Sequence, residues 1–259
     1  MIRSNKGNKY LILLVVGLAF LLLGGSLLIV FGYLPYFYAT GNSYKVFTYE
    51  IAYYANGNTT FPNAPYINFS YCLLQFISYS PLLVLLTIFC LDDFKDDLLV
   101  FIKNYKKYFG VIALSYVCMV GLNLVTNVIY KVIGVTGESN NEQVISLLLS
   151  GSGNLYMIVS VVFLAPICEE FVFRKFIFGV FEEKFSFKGR SVVAIIVSCL
   201  VFSFIHVTDL ESIKFIFQYI VLALPICLCY YFCDRNIYAT IILHLINNAI
   251  STIASFLLR

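Results

Sequence analysis

Charge is what this sequence has least of. Asp, Glu, Lys and Arg together make up 12% of its 259 residues, where a soluble domain carries about a quarter. That scarcity excludes an ordinary water-soluble domain. Hydrophobic residues fill 61% of the chain, and its mean hydropathy is +0.89. Histidine is rarer still, with two copies. HExxH is absent, which removes the helix-borne zinc-protease motif. No CxxC spacing joins Cys227, Cys229 and Cys233, and their apolar setting argues against a thiolate metal site. None of the eight cysteines lies in a long polar loop, so small buried hydrophobes fit better than a disulfide framework. The net charge is only +3, and the basic residues come in short clusters between apolar runs. Nucleic acid is therefore not an expected partner. No internal repeat is visible, which counts against inverted-repeat transporters.

What the chain has instead is long apolar runs. A membrane-crossing helix needs about 20 such residues, and candidates lie at about 10–34, 66–91, 109–130, 155–178, 191–208, 214–233 and 237–258. The first follows Arg3, Lys6 and Lys9. Its apolar core is too long for a signal peptide, so it reads as a span. The expectation is an all-α polytopic transmembrane bundle of about seven spans. It forms a single membrane domain over 1–259, with the first three spans in 1–150 and the last four in 155–258. Tyrosine and phenylalanine, 20 and 25 copies, suit a lipid-facing surface with Tyr near the headgroups. Lys95, Lys103, Lys106 and Lys107 mark 92–108 as a cytoplasmic loop, as Lys184, Lys188 and Arg190 do for the loop after the fourth span. The segments 35–65 and 131–154 hold few basic residues and read as outer irregular coil. A multi-pass protein with a cytoplasmic N-terminus, in the cell membrane, follows.

Polar groups inside such spans are costly, about 2.5–3.5 kcal/mol for an ionised one on insertion scales, and are functional candidates by default. Residues 169–174 read Glu-Glu-Phe-Val-Phe-Arg. Glu170 and Arg174, four apart, share a helix face and can pair. Glu169 is turned about 100° away and is free to be a reactive carboxylate. Phe202 precedes His206 by one turn, and His244 precedes Asn248 by one turn. Both histidines lie in or at the end of apolar spans downstream of the glutamates.

In these residues the sequence resembles the CPBP group of intramembrane proteases, which includes CAAX prenyl endopeptidases and bacteriocin-immunity relatives. The signature EExxxR, FxxxH, HxxxN reads here Glu169–Arg174, Phe202–His206 and His244–Asn248. The resemblance covers 155–250, and the first 150 residues match only as generic spans. It implies hydrolysis of a peptide bond in a membrane-associated peptide or protein. Glu169 and His206 would hold and activate a water, and His244 and Asn248 would donate to the oxyanion. Phe202, Glu170 and Arg174 would orient. The family often carries a metalloprotease label. The expectation is nevertheless of no obligatory cofactor, with zinc on Glu169, His206 and His244 as the alternative. Two rival functions remain: a non-catalytic binding or immunity protein of the same fold, and a proton-coupled transporter. Within the spans only Pro81, Pro166 and Pro225 interrupt, without the paired spacing a transporter would show.

Overall fold

The apolar runs all fold as helix. In a medium without water each backbone N–H and C=O must be satisfied within its own segment, and a helix does this. The computed structural model describes residues 2–257, with side chains from residue 6. Arg3's side chain and the last residue of the seventh expected span, 258, lie outside them. Among the described residues there is no strand. The helices are α1 (Ile2–Leu27), α2 (Ile29–Thr40), α3 (Tyr44–Ala55), α4 (Ala64–Ser78), α5 (Ser80–Val132), α6 (Asn140–Leu149), α7 (Asn154–Val159), α8 (Ala165–Glu170), α9 (Ile177–Lys184), α10 (Arg190–Ile205), α11 (Ile216–Phe232) and α12 (Ile237–Leu257). Two π-helical stretches, Ser160–Leu164 and Phe171–Phe176, join α7, α8 and α9 into one rod, and a 3₁₀ turn, Glu211–Phe215, leads into α11.

Among the described residues five stretches are long and apolar enough to cross a membrane: Lys6–Thr40, Ala64–Val132, Asn154–Lys184, Glu211–Phe232 and Ile237–Leu257. The seven expected runs map onto these helices with two differences. The second and third expected spans belong to one helical run, α4 leading into α5. The fifth is α10, whose 16 residues reach about 24 Å, short of a hydrocarbon core of about 30 Å.

The segment 92–108, expected as a loop, is helix within α5. Its low hydropathy reported polarity and not conformation, since it holds neither Gly nor Pro. Two of its four acids also have partners from distant helices. Asp93 takes Lys9 Nζ at 3.2 Å and Tyr10 OH at 3.0 Å, and Asp97 takes Lys175 Nζ at 2.8 Å. A straight helix of 53 residues would run about 80 Å. Instead α5 bends at Asn104 (φ −113°, ψ 17°), whose amide donates to Val100 O at 3.0 Å.

The outer segments are not all coil either. Ser43 Oγ accepts from Val46 N and starts α3, after Gly41 at φ +70° has ended α2. Ser139 Oγ accepts from Glu142 N and starts α6. Residues 139–142 read Ser-Asn-Asn-Glu, which fits a capping box.

Close helix approach holds the bundle together, because lipid tails are as apolar as leucine and burial alone drives little association. A Cβ on Gly17 would stand 2.6 Å from Val172 Cγ2, and one on Gly179 would collide with the Tyr10 ring. The glycines let α1 lie directly on the rod that carries the glutamates. A second buried group surrounds Tyr36, Phe47, Ile67 and Met157, and a third joins α5 to α11 and α12 through Phe101, Tyr108, Ile226 and Leu243. All eight cysteines are free; seven are buried, and Cys118 is exposed.

Candidate active site

Pro166 sets the local geometry. It lacks an N–H and cannot close the bond an α-helix would ask of it. The chain relaxes into the wider π form just before it, with Ala165 N–H donating five residues back to Ser160 O. In that register the partner due to Val161 O is Pro166, which has nothing to give. Asn248 Nδ2, on α12, donates to Val161 O at 2.9 Å and fills the gap. A second π stretch begins at Phe171, so the two glutamates sit at the end of a short α segment between two bulges. Bulges of this kind re-aim side chains and recur at functional sites.

Glu170 faces inward and is fully buried, as is Arg174. Arg174 Nη1 lies 3.0 Å from Glu170 Oε1 and Nη2 donates to Ala223 O at 3.4 Å, while the guanidinium sits 5.0 Å from the Phe202 ring centroid. The expected pairing of these two residues is present. Sequence reading missed a third participant: the same Glu170 Oε1 lies 2.8 Å from His244 Nδ1. A carboxylate facing an arginine only accepts, so Nδ1 carries the imidazole proton and the Nε2 lone pair is left free. The spacing of Glu170 and His244 along the chain gives no hint of this contact.

Glu169 points elsewhere, as its 100° offset requires. It is 8% exposed, and its Oε2 stands 3.9 Å from His244 Nε2. That is too long for a direct hydrogen bond and suits two groups sharing one water molecule. The Tyr79 side chain is within electrostatic reach of Glu169.

His206 is the C-cap of α10, where the helix ends. Its Nδ1 lies 2.8 Å from Phe202 O. A carbonyl can only accept, so this ring also keeps its proton on Nδ1 and presents Nε2. Phe202 links the two histidines: its centroid is 4.4 Å from His206 and 6.1 Å from His244. Glu170, Arg174 and His244 are thus in direct contact, with the Glu169 carboxylate 3.9 Å from the imidazole. His206 joins them through the phenyl ring, and Asn248 stands one turn beyond His244 with Asn247 Nδ2 donating to its Oδ1 at 3.2 Å.

Of the three residues expected as alternative zinc ligands, Glu169 and His244 stand 3.9 Å apart, and His206 lies across the Phe202 ring from His244. Among the described residues no group of three or more His, Cys, Asp or Glu side chains is placed to hold a metal ion. The trio Cys227, Cys229 and Cys233 falls under the same finding.

Residues 151–250 match the family described as type II CAAX prenyl endopeptidase Rce1-like. No curated protein and no solved structure matches the chain. The matched segment begins just before α7 and contains Glu169, Glu170, Arg174, Phe202, His206, His244 and Asn248. With the three motifs in order inside it, the segment 151–250 is similar to the CPBP/CAAX protease family, and this similarity covers less than half of the chain.

Proposed function

We propose that this chain is an intramembrane endopeptidase that hydrolyses a peptide bond by glutamate-activated water. The observation that carries it is the 3.9 Å gap between Glu169 Oε2 and His244 Nε2, in a nearly closed site backed by a buried ion pair. A water in that gap donates one proton toward Glu169 and is oriented by an Nε2 acceptor. His206, with its proton held on Nδ1 by Phe202 O, presents its Nε2 as the alternative acceptor for the water's second hydrogen, so only one of the two imidazoles takes it at a time. Glu169 takes the proton as the water oxygen attacks the carbonyl carbon. It then returns that proton to the amide nitrogen as the C–N bond breaks, leaving a carboxylic acid and an amine.

The tetrahedral intermediate carries a negative oxygen that needs donors. Asn248 has a second amide hydrogen beyond the one given to Val161 O. His244, whose proton Glu170 holds on Nδ1, cannot donate from Nε2, so its expected part at the oxyanion passes to Asn248 and His244 orients the water instead. Glu170 is therefore the orienting group for His244 as well as the partner of Arg174. No step passes through a metal.

The substrate is a peptide or membrane-anchored protein, and prenylated CAAX proteins are the class named by the matching family. Lys9 with Asp93, Lys175 with Asp97, Lys184 with Asn8 and Arg235 with Glu182 lie at one end of the bundle. The basic residues gathered there support reading that end as the cytoplasmic one. The test is Glu169→Gln, which keeps size and hydrogen bonding and removes the base. Cleavage of a prenylated CAAX peptide, or of proteins in the host membrane, should fall about 10²–10⁴-fold at unchanged membrane level. Wild-type rates in this variant would end the proposal.

A further inference from the structure

We infer that Tyr219 is a positioning residue for His206, aimed by a buried hydrogen bond to the start of α6. This role rests on the reading of His206 as part of the hydrolytic site.

His206 has an unusual problem. It sits at the C-cap of α10, after which the chain leaves the helix for a bend and a 3₁₀ turn. A side chain in that place is not packed from both directions along a helix, and its χ1 and χ2 have several wells to choose from. The hydrogen bond to Phe202 O fixes one atom. What fixes the plane is aromatic contact: Phe202 from its own helix at 4.4 Å and 30°, and Tyr219 from α11 at 5.0 Å and 32°.

Tyr219 is itself held more firmly than a packing residue requires. It is 3% exposed, and its hydroxyl lies 2.5 Å from Ser139 Oγ, also buried. Ser139 is the N-cap of α6, so the bond ties α11 to a third element. The same junction is tied again next to His206. Asn140 N donates to Ser212 Oγ at 3.1 Å and Asn140 Nδ2 to Thr208 Oγ1 at 3.3 Å, while Ser212 N donates to Asp209 Oδ1 at 2.8 Å. The turn that follows His206 and the ring that packs on it are thus anchored to one short stretch, Ser139–Asn140. Leucine at 219 would fill comparable space, but neither stack nor reach Ser139. Phenylalanine would keep the stack alone.

The chain has two histidines, so ¹⁵N-histidine spectra of the protein in lipid nanodiscs can be assigned with His206→Gln and His244→Gln. In wild type the His206 signals should report a single Nδ1-protonated tautomer. In Tyr219→Leu they should report a mixture, and in Tyr219→Phe most of the wild-type signature should return. Cleavage should follow: for Tyr219→Leu kcat falls about tenfold or more with KM little changed, since misplacement acts on the reacting geometry, and Tyr219→Phe recovers most of it. Ser139→Ala breaks the tie without touching the aromatic contact and should shift the His206 signals the same way to a smaller extent. A folded Tyr219→Leu protein with wild-type His206 signals and wild-type kcat overturns the role. A wild type that cleaves nothing, while the tautomer shifts appear as described, removes the endopeptidase reading and leaves the positioning intact.

Discussion

At the scale of residues, the adjacent carboxylates Glu169 and Glu170 have separate work because a one-residue step turns a helix by about 100°. Glu170 is fully buried with Arg174, an arrangement whose desolvation cost can exceed its Coulombic gain. Its use here is geometric: Oε1 meets both Arg174 and His244, so one charge neutralises the arginine and fixes the imidazole. Arg174→Met should therefore destabilise the protein by about 3–5 kcal/mol, because it strands Glu170. The double change Glu170→Leu, Arg174→Met should recover most of that loss in detergent-unfolding curves while cleavage stays absent. Recovery of activity along with stability would mean that Glu170 does nothing for His244. The motif residues were all legible in the sequence, since a charge or an imidazole in an apolar span is conspicuous. The Glu170–His244 contact was not legible, because it joins residues 74 apart in the chain.

At the scale of elements, Pro166 and Asn248 belong to one device. The proline removes a donor, a π bulge forms, and the amide on α12 closes the carbonyl left over. Asn248→Leu leaves Val161 O buried without its partner, at a cost of about 1–3 kcal/mol. Adding Pro166→Ala restores an N–H that can reach that carbonyl, so the double variant should be more stable than Asn248→Leu alone. Equal stability would show that Val161 O is satisfied some other way. Spacing could not announce the bulge, since a single proline in a span reads equally as a kink or an ordinary first-turn residue. The start of α6 was a different case: Ser139 and Glu142 carry the capping-box signal, hidden by the surrounding Gly, Ser and Asn that suggested coil. The segment 92–108 looked like a loop because its charges interrupt the apolar runs, and the partners of Asp93 and Asp97, which are Lys9, Tyr10 and Lys175, are distant in the chain. Amide hydrogen exchange should find 92–103 protected, unlike 56–63; rapid exchange throughout 92–108 would argue for the loop after all.

At the scale of the whole molecule, the first 150 residues supply wall and support while 151–250 carry the motif residues and the family match. The wall is fitted to the site: Gly17 and Gly179 bring α1 against the glutamate-bearing rod, so Gly17→Leu should lower activity and stability together. The ion pairs gathered at one end of the bundle give orientation its test. A cysteine placed at Lys106 should react with a membrane-impermeant maleimide only in inside-out vesicles, and labelling from the outside would invert the assignment. The most direct measurement of all is of the bond-breaking step itself. Membranes carrying wild type or Glu169→Gln, at equal protein level, are incubated in H₂¹⁸O, and new protein C-termini are read by mass spectrometry. Labelled C-termini present with wild type and missing with Glu169→Gln are the expected result. The same labelled C-termini in both, or none in either against a panel that includes prenylated CAAX peptides, would contradict a glutamate-driven hydrolysis in this pocket.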